Sequence, residues 1–288
     1  MSSRSYAGID RLRSVVRGDT SSLVLLLPLV VAFTALFVVP VGQLFSRAFL
    51  VDGTVSLANF REIFSTGLYI DVIVRTVRIS AFTTAITMVS GYLLAYYIVF
   101  RSSNKRLLLL LVFVTMMVDL VIRIFGWVVA FSSGSILEIL TSPFVEDFSI
   151  LFSETAIVIG LVQFTLPFMI FVTVGVLSNI DDSLVEAARD LGATRIQAFL
   201  RLTLPLSMNA IIVGGSLVFA LSMSSFVSPQ LLGGGRNRMI ANTIFSLIGN
   251  SGEWGIAAAL GFTLLVTTAS ILVVFIAIVT ALLGSDRP

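Results

Sequence analysis

Six long apolar stretches constrain this chain more than any motif in it: residues 23–42, 79–100, 107–131, 155–178, 207–231 and 257–283. A helix needs about 20 predominantly apolar residues to cross the hydrocarbon core of a bilayer. Lipid offers no hydrogen bonds, so a spanning segment must satisfy its own backbone N–H and C=O groups, which a helix does. The reading is an all-α membrane protein with six transmembrane helices in the lipid bilayer. Composition excludes a soluble domain, because hydrophobic residues make up 57% of the 288 and charged residues only 12%, against about 25% charged in soluble domains.

The first stretch follows Arg4, Arg11, Arg13 and Arg17, a basic lead of the kind that opens a signal peptide. Its apolar run exceeds the roughly 7–15 residues of a signal-peptide core and no small-residue cleavage site follows, so a retained signal anchor is expected. Cytoplasmic loops carry the excess of Lys and Arg. With the amino terminus inside, the inner segments hold Arg4, Arg11, Arg13, Arg17, Arg101, Lys105, Arg106, Arg189, Arg195, Arg201 and Arg287. The outer segments hold the smaller set Arg47, Arg61, Arg75, Arg78, Arg236 and Arg238. Both termini are therefore expected in the cytoplasm, with an inner segment at 1–22, a six-span body at 23–283 and a short inner tail at 284–288. The loop 132–154, with Glu138, Glu146, Asp147 and Glu154 and no base, agrees, whereas Arg75 and Arg78 at the outer end of the second span run against it.

The chain has no Cys and no His, which removes disulfides, thiol nucleophiles, Cys/His metal sites and histidine acid–base chemistry. No catalytic or metal-binding residue is identified. The only lysine, Lys105, sits in Ser-Asn-Lys-Arg rather than after the glycine a Walker A loop requires. Any use of ATP therefore needs another chain. The basic residues form no long run, so no nucleic-acid partner is expected.

Residues 181–206, DDSLVEAARDLGATRIQAFLRLTLPL, form a polar inner loop that carries two helix-start signals. Ser183 with Glu186, and Thr194 with Gln197, both fit the capping box, in which a hydroxyl caps the first turn and the acid or amide three residues on reaches back. Gly192 is expected to end the first short helix, since glycine tolerates the left-handed conformation past a helix terminus. Pro205 is expected to end the second, because the residue before proline is pushed out of the α region. Leu184, Ala187, Ala188 and Leu191 make an apolar stripe on the first helix, with Glu186, Arg189 and Asp190 toward the other side. Ile196, Phe199, Leu200 and Thr203 make a partly apolar face on the second. Such a pair either folds back against its own bundle or offers anchors at i, i+3 and i+4 to a soluble partner's groove.

These residues carry a family resemblance. Glu186-Ala187-Ala188, then Gly192, then Leu202-x-Leu204-Pro205 resembles the EAA loop of the permease subunits of bacterial ABC importers, with Leu202 where that family more often has isoleucine. The resemblance implies a type I importer permease of the bacterial inner membrane whose loop forms short cytoplasmic coupling helices docked in a cleft of an ATPase. It assigns that contact to Glu186, which would pair with a base there, and to Ala187, Ala188, Arg189, Gly192, Leu204 and Pro205. Asn59-Phe60-Arg61-Glu62-Ile63-Phe64, Gly91-Tyr92-Leu93-Leu94-Ala95-Tyr96, Arg123 with Trp127, Leu166-Pro167-Phe168, Phe226-Val227-Ser228-Pro229 and Leu232-Gly233-Gly234 are similar to the spermidine/putrescine type, and within it to the first of two permeases that pair as a heterodimer. Implied partners are a second permease, two ATPase subunits that bind ATP and Mg, and an extracytoplasmic solute-binding protein; no cofactor is implied on this chain.

The candidate pathway residues lie in the spans. Asp119 and Arg123 are spaced i, i+4 with the acid first, the order that stabilises a helical ion pair, and Trp127 continues that face. Either charge alone at mid-bilayer would cost about 2.5–3.5 kcal/mol, so the pair is structural, or else it lines the pathway, with Trp127 offering a cation-π surface. In the polyamine-type pattern Asp119 takes a place where a small polar residue is expected. Gln163 stands four residues before Pro167, which removes a hydrogen bond to its carbonyl; the two either bend a packed helix or place an amide in the pathway. Gly214 and Gly215 suit close packing in lipid, and Ser224 and Ser225, near Pro229, are candidates to line a cavity.

The resemblance implies alternating access driven by ATP binding to the partner ATPases, for a polyamine or related organic cation, or alternatively an opine, organic acid or other small solute. A gradient-driven carrier is the rival of a different class. Sparse intramembrane acids argue against it, and a membrane-embedded enzyme lacks its usual residues.

Overall fold

The computed structural model describes residues 27–51, 53–132 and 150–284. Arg4, Arg11, Arg13, Arg17, Glu138, Glu146, Asp147 and Arg287 lie outside the described residues, as do the segment expected at 1–22 and the tail beyond residue 284.

In chain order the helices are α1 (Leu27–Phe49), α2 (Ala58–Ser65), α3 (Gly67–Phe100), α4 (Lys105–Met117), α5 (Leu120–Phe131), α6 (Glu154–Leu177), α7 (Asp182–Asp190), α8 (Arg195–Leu206), α9 (Met208–Met223), α10 (Val227–Leu232), α11 (Ile240–Ser246) and α12 (Trp254–Gly284). Between α1 and α2 a small antiparallel ribbon pairs β1 (Leu50–Val51) with β2 (Thr54–Val55), in register Leu50 to Val55, and turns at Gly53 with φ +77°. Four of the helices, α1, α3, α6 and α12, are long and apolar enough to cross a membrane unbroken; the bent pairs α4–α5 and α8–α9 complete six.

The third and fifth stretches are not single helices. The run expected as 107–131 breaks at Val118 and Asp119, both extended in backbone, and α4 meets α5 at 91°. The run expected as 207–231 is helical only to Met223, then turns through Ser224–Phe226 into α10. The second span starts well before the expected residue 79, because Asp71, Arg75 and Arg78 belong to α3. At 34 residues and 1.5 Å per residue, α3 is roughly 50 Å long, more than the hydrocarbon core of about 30 Å, so its charged first turns stand clear of the apolar layer.

Helices α3, α6 and α9 pack on one another in threes, and small residues set their spacing. Gly91 of α3 and Gly214 of α9 both face Met169 of α6: a Cβ at Gly91 would lie 2.7 Å from its Cγ, and one at Gly214 2.5 Å from its sulfur. Thr87 and Thr165 share a hydrogen bond of 3.2 Å between α3 and α6, and the Thr165 hydroxyl also reaches the Leu161 carbonyl at 2.8 Å. Gly160 admits Leu232 of α10 and Ile124 of α5 to the other flank of α6. Helix α6 continues through the buried Pro167.

Helix α12 packs on α1, where Phe45, Phe49 and Phe60 surround Phe262 edge-on. The Nδ2 of Asn59, first residue of one of the family-like motifs, donates to the carbonyls of Ala48 and Arg47 at 3.1 and 3.4 Å, capping the last turn of α1. One end of the bundle thus carries the ribbon, α2 and α11, and the opposite end carries residues 101–104 and α7–α8.

Candidate functional site

At that opposite end the loop is built as two capped helices. The first cap differs from expectation: Asp181, not Ser183, starts α7, its Oδ1 accepting the Ser183 N–H at 2.9 Å and its carbonyl the Leu184 N–H at 3.1 Å. The Ser183 backbone and hydroxyl bonds hold the Asp181 carboxyl below the usual aspartate range. Because α7 opens at Asp182, Glu186 lies a full turn inside the helix, beyond the third position from which a capping-box acid reaches back.

Helix α7 closes as expected at Gly192, with φ +90°. The Ala193 N–H reaches the Ala188 carbonyl at 3.0 Å, the six-to-one bond of a Schellman turn. The second capping box is present in full: Gln197 N–H donates to Thr194 Oγ1 at 3.3 Å and Thr194 N–H to Gln197 Oε1 at 2.9 Å.

Pro205 does not end α8. A π-helical turn at Phe199–Thr203 precedes it, in which Leu204 N–H bonds back to the Phe199 carbonyl, and the helix runs on to Leu206. The wider turn re-registers the backbone so that proline's missing N–H breaks no ladder. A similar π turn, Thr34–Val38, precedes Pro40 in α1.

The faces divide more finely than the sequence suggested. Ala198 and Thr203 are buried, and Phe199 and Leu204 are half-buried against α3 and α6. Leu191 and Ile196 are 90% and 71% exposed, and Leu184, Leu200, Ala187 and Pro205 are also exposed. The side chains of Glu186 and Arg189 lie outside the described residues.

Inside the bundle the expected ion pair does not form. Asp119 sits at the α4–α5 break, exposed, and its Oδ1 caps α5 by accepting the Val121 N–H at 2.8 Å. Among the described residues the ion pairs are those of Arg75 and Arg78 with Glu154. Arg123 instead lies over the Phe164 ring, 5.7 Å from its centroid, with Nε and Nη1 buried and without an acceptor among the described residues. Next to Phe164, Gln163 also buries an Oε1 that accepts no hydrogen bond from the described residues. Trp127 stacks on Phe131 at 5.1 Å. Ser224 is exposed and donates to the Ala220 carbonyl at 3.0 Å; Ser225 is half-buried; both lead into α10, which packs on α5 and α6.

Two groupings escaped the sequence. At the ribbon end, Arg78 Nη2 contacts both Glu154 oxygens at 2.6 Å while Arg75 bonds Glu154 and the Arg236 and Arg238 carbonyls; charges inside an otherwise apolar helix were the available signal. Near the loop, Tyr92 meets Ser207, and Phe199 packs edge-on against Tyr92 and Tyr96.

Residues 87–284 match the family model described as "Binding-protein-dependent transport system inner membrane component". The chain is 34% identical over 212 residues to the spermidine/putrescine transport system permease protein PotB of Escherichia coli (strain K12), covering 72% of this chain and 77% of that one. It is similar in fold to a bacterial ABC transporter involved in the import of the acidic polysaccharide alginate, with a TM-score of 0.77 at 20% identity over 96% of this chain and 100% of the other. A second structure, that transporter type in complex with alginate pentasaccharide-bound periplasmic protein, gives a TM-score of 0.77 at 22% identity over 91% and 95%.

Proposed function

The chain belongs to the family of binding-protein-dependent transport system inner membrane components, and from that premise we propose that it forms, with a second permease, the pathway for a polyamine or related organic cation. An extracytoplasmic binding protein delivers the solute to the ribbon end, and two ATPase subunits drive transport from the opposite end. ATP and its Mg ion bind those subunits, and both termini of this chain lie in the cytoplasm.

The observation that carries this reading is the construction of residues 181–206. Two short capped helices stand at one end of the bundle and leave Leu184, Leu191, Ile196 and Leu200 exposed, apolar anchors of the kind a partner's groove receives. With Asp181 serving as the cap and α7 opening at Asp182, Glu186 stands past the capping-box position, and we assign it to a base on the ATPase. Ala187, Ala188, Arg189 and Gly192 form the docking turn, and Leu204 with Pro205 joins it to the bundle. The likeness to PotB supports the solute class. We place Asp119, Arg123, Trp127, Gln163, Ser224 and Ser225 along the pathway, where α5, α6 and α10 pack together.

The test is uptake of labelled spermidine into proteoliposomes holding both permeases and the ATPase. Uptake that needs ATP and the binding protein supports the proposal; uptake driven by an ion gradient without the ATPase contradicts it. One observation favours a second solute class. The Nε and Nη1 donors of Arg123, which meet no acceptor among the described residues, suit a solute carrying a carboxylate, such as an opine or organic acid, and competition of spermidine uptake by such acids distinguishes the two.

A further inference from the structure

Helix α8 and the residue that follows it meet the last turns of α3 at two places. Phe199, one turn into α8, packs edge-on against Tyr96 at 5.0 Å and Tyr92 at 5.9 Å. Ser207, just after its end, meets the Tyr92 hydroxyl at 2.5 Å. The contacts are spaced by whole helical turns, 92 and 96 on α3 against 199 on α8 and 207 just beyond it, and Thr203, midway between 199 and 207, is buried. Ser207 donates its only hydroxyl proton to the Thr203 carbonyl at 2.8 Å, so the Tyr92 O–H is the donor in the contact between the two hydroxyls. Ser207 is also the apex of the 67° bend between α8 and α9.

We propose that the Tyr92–Ser207 contact is a latch that joins α3 to the α8–α9 bend, so that displacement of the docked loop moves α3 and the loop as one body. Without it α8 can swing about Ser207 and leave α3 behind. The body bears on α6 through Met169, seated between Gly91 and Gly214, and methionine's unbranched thioether tolerates such sliding. Tyr92 and Ser207 are positioning residues; neither touches solute.

The inference rests on the ATPase-driven reading, and two readouts separate the two. The first is the amount of spermidine taken up per ATP hydrolysed by the reconstituted complex. Tyr92→Phe keeps the ring and leaves Ser207 bonded to Thr203, so insertion is unchanged while the ratio falls about five-fold, the factor one neutral hydrogen bond represents. Ser207→Ala lowers the ratio too, and the double variant is no worse than Tyr92→Phe, because contacting residues act as one unit. Tyr97→Phe, on an exposed tyrosine of the same helix, leaves it unchanged.

The second readout needs no solute. The chain has no cysteine, so spin labels at Arg201→Cys, an exposed position of α8 outside the docking anchors, and Leu94→Cys report the distance from loop to α3. That distance stays the same with and without ATP in the otherwise wild-type complex and changes with ATP in Tyr92→Phe. A Tyr92→Phe complex with a constant label distance overturns the latch, as does an unchanged uptake ratio. Wild-type complex that takes up no spermidine while the labels behave as expected contradicts the solute reading and supports the latch.

Discussion

Met169 of α6 lies so close to Gly214 of α9 that a methyl group there would sit 2.5 Å from its sulfur. Gly91 of α3 faces the same side chain, but nearer the backbone, at 2.7 Å from Cγ and 2.9 Å from Cβ. The sulfur end can swing away, while the Cβ moves only with its helix. Gly91→Ala is therefore expected to cost more than Gly214→Ala, with overpacking of about 1–3 kcal/mol as the scale. Thermal unfolding of the purified permease in detergent checks the order, and adding Met169→Ala should relieve only part of the Gly91→Ala loss, because alanine removes the Cγ at 2.7 Å and keeps the Cβ at 2.9 Å. Equal and negligible effects would contradict the tight packing.

Asp119 acts as a cap. Asp119→Asn keeps a good capping oxygen and should leave stability near wild type, whereas Asp119→Ala should lose about 0.5–2 kcal/mol. Since no ion pair links Asp119 to Arg123, the coupling in the double variant Asp119→Ala/Arg123→Met should not exceed about 1 kcal/mol, the scale of an exposed charge pair. A double variant clearly more stable than either single one would restore the ion pair.

The Asp181 carboxyl is held below its ordinary range by the bonds from Ser183. A depressed folded pKa means the stabilisation is present above the unfolded value and lost as the pH falls through the folded one. The first turn of α7 should keep its amide-exchange protection from neutral pH down through the ordinary aspartate range and lose it only below. Loss of protection between pH 7 and 5 would show that another group caps the helix.

Much of the fold was legible because lipid makes apolar length decisive: the runs at 155–178 and 257–283 became α6 and α12 almost residue for residue. Gly192 and the Thr194–Gln197 box could be read because left-handed backbone and reciprocal capping have local signatures. The break at Val118 and Asp119 could not, since hydropathy stays high across it and the 91° turn depends on two extended residues. The early start of α3 was hidden because Asp71, Arg75 and Arg78 look like loop until Glu154 and the Arg236 and Arg238 carbonyls come to meet the two arginines. Tyr92 and Ser207 are 115 positions apart, beyond any local pattern, and Asp181 competed with Ser183 for a cap that either could supply.

Exposure of Leu191 and Ile196 at the tip of the loop makes a further test. Leu191→Glu and Ile196→Glu place charges on solvent-facing positions, so the isolated permease should fold and insert normally. In the complex each charge would be buried against the ATPase, and retention of the ATPase during affinity purification should drop at least tenfold, since burying an unpaired charge costs several kcal/mol. Full retention with both substitutions would move the docking surface elsewhere.

The central claim is that residues 181–206 couple this permease to an ATPase, and binding-protein-stimulated ATP hydrolysis by the reconstituted complex tests it most directly. Glu186→Ala removes a charge at a helix position past the capping box, and Gly192→Val forces a branched side chain onto a backbone at φ +90°, a left-handed conformation that costs roughly 1–2 kcal/mol outside glycine. Both variants should insert normally and yet lose most of the stimulation, by about tenfold or more for Glu186→Ala if its charge pair is worth the usual 2–5 kcal/mol, while Gly192→Asn, which tolerates that φ, retains it. Stimulation at the wild-type level in both Glu186→Ala and Gly192→Val would contradict the assignment of this loop as the coupling element.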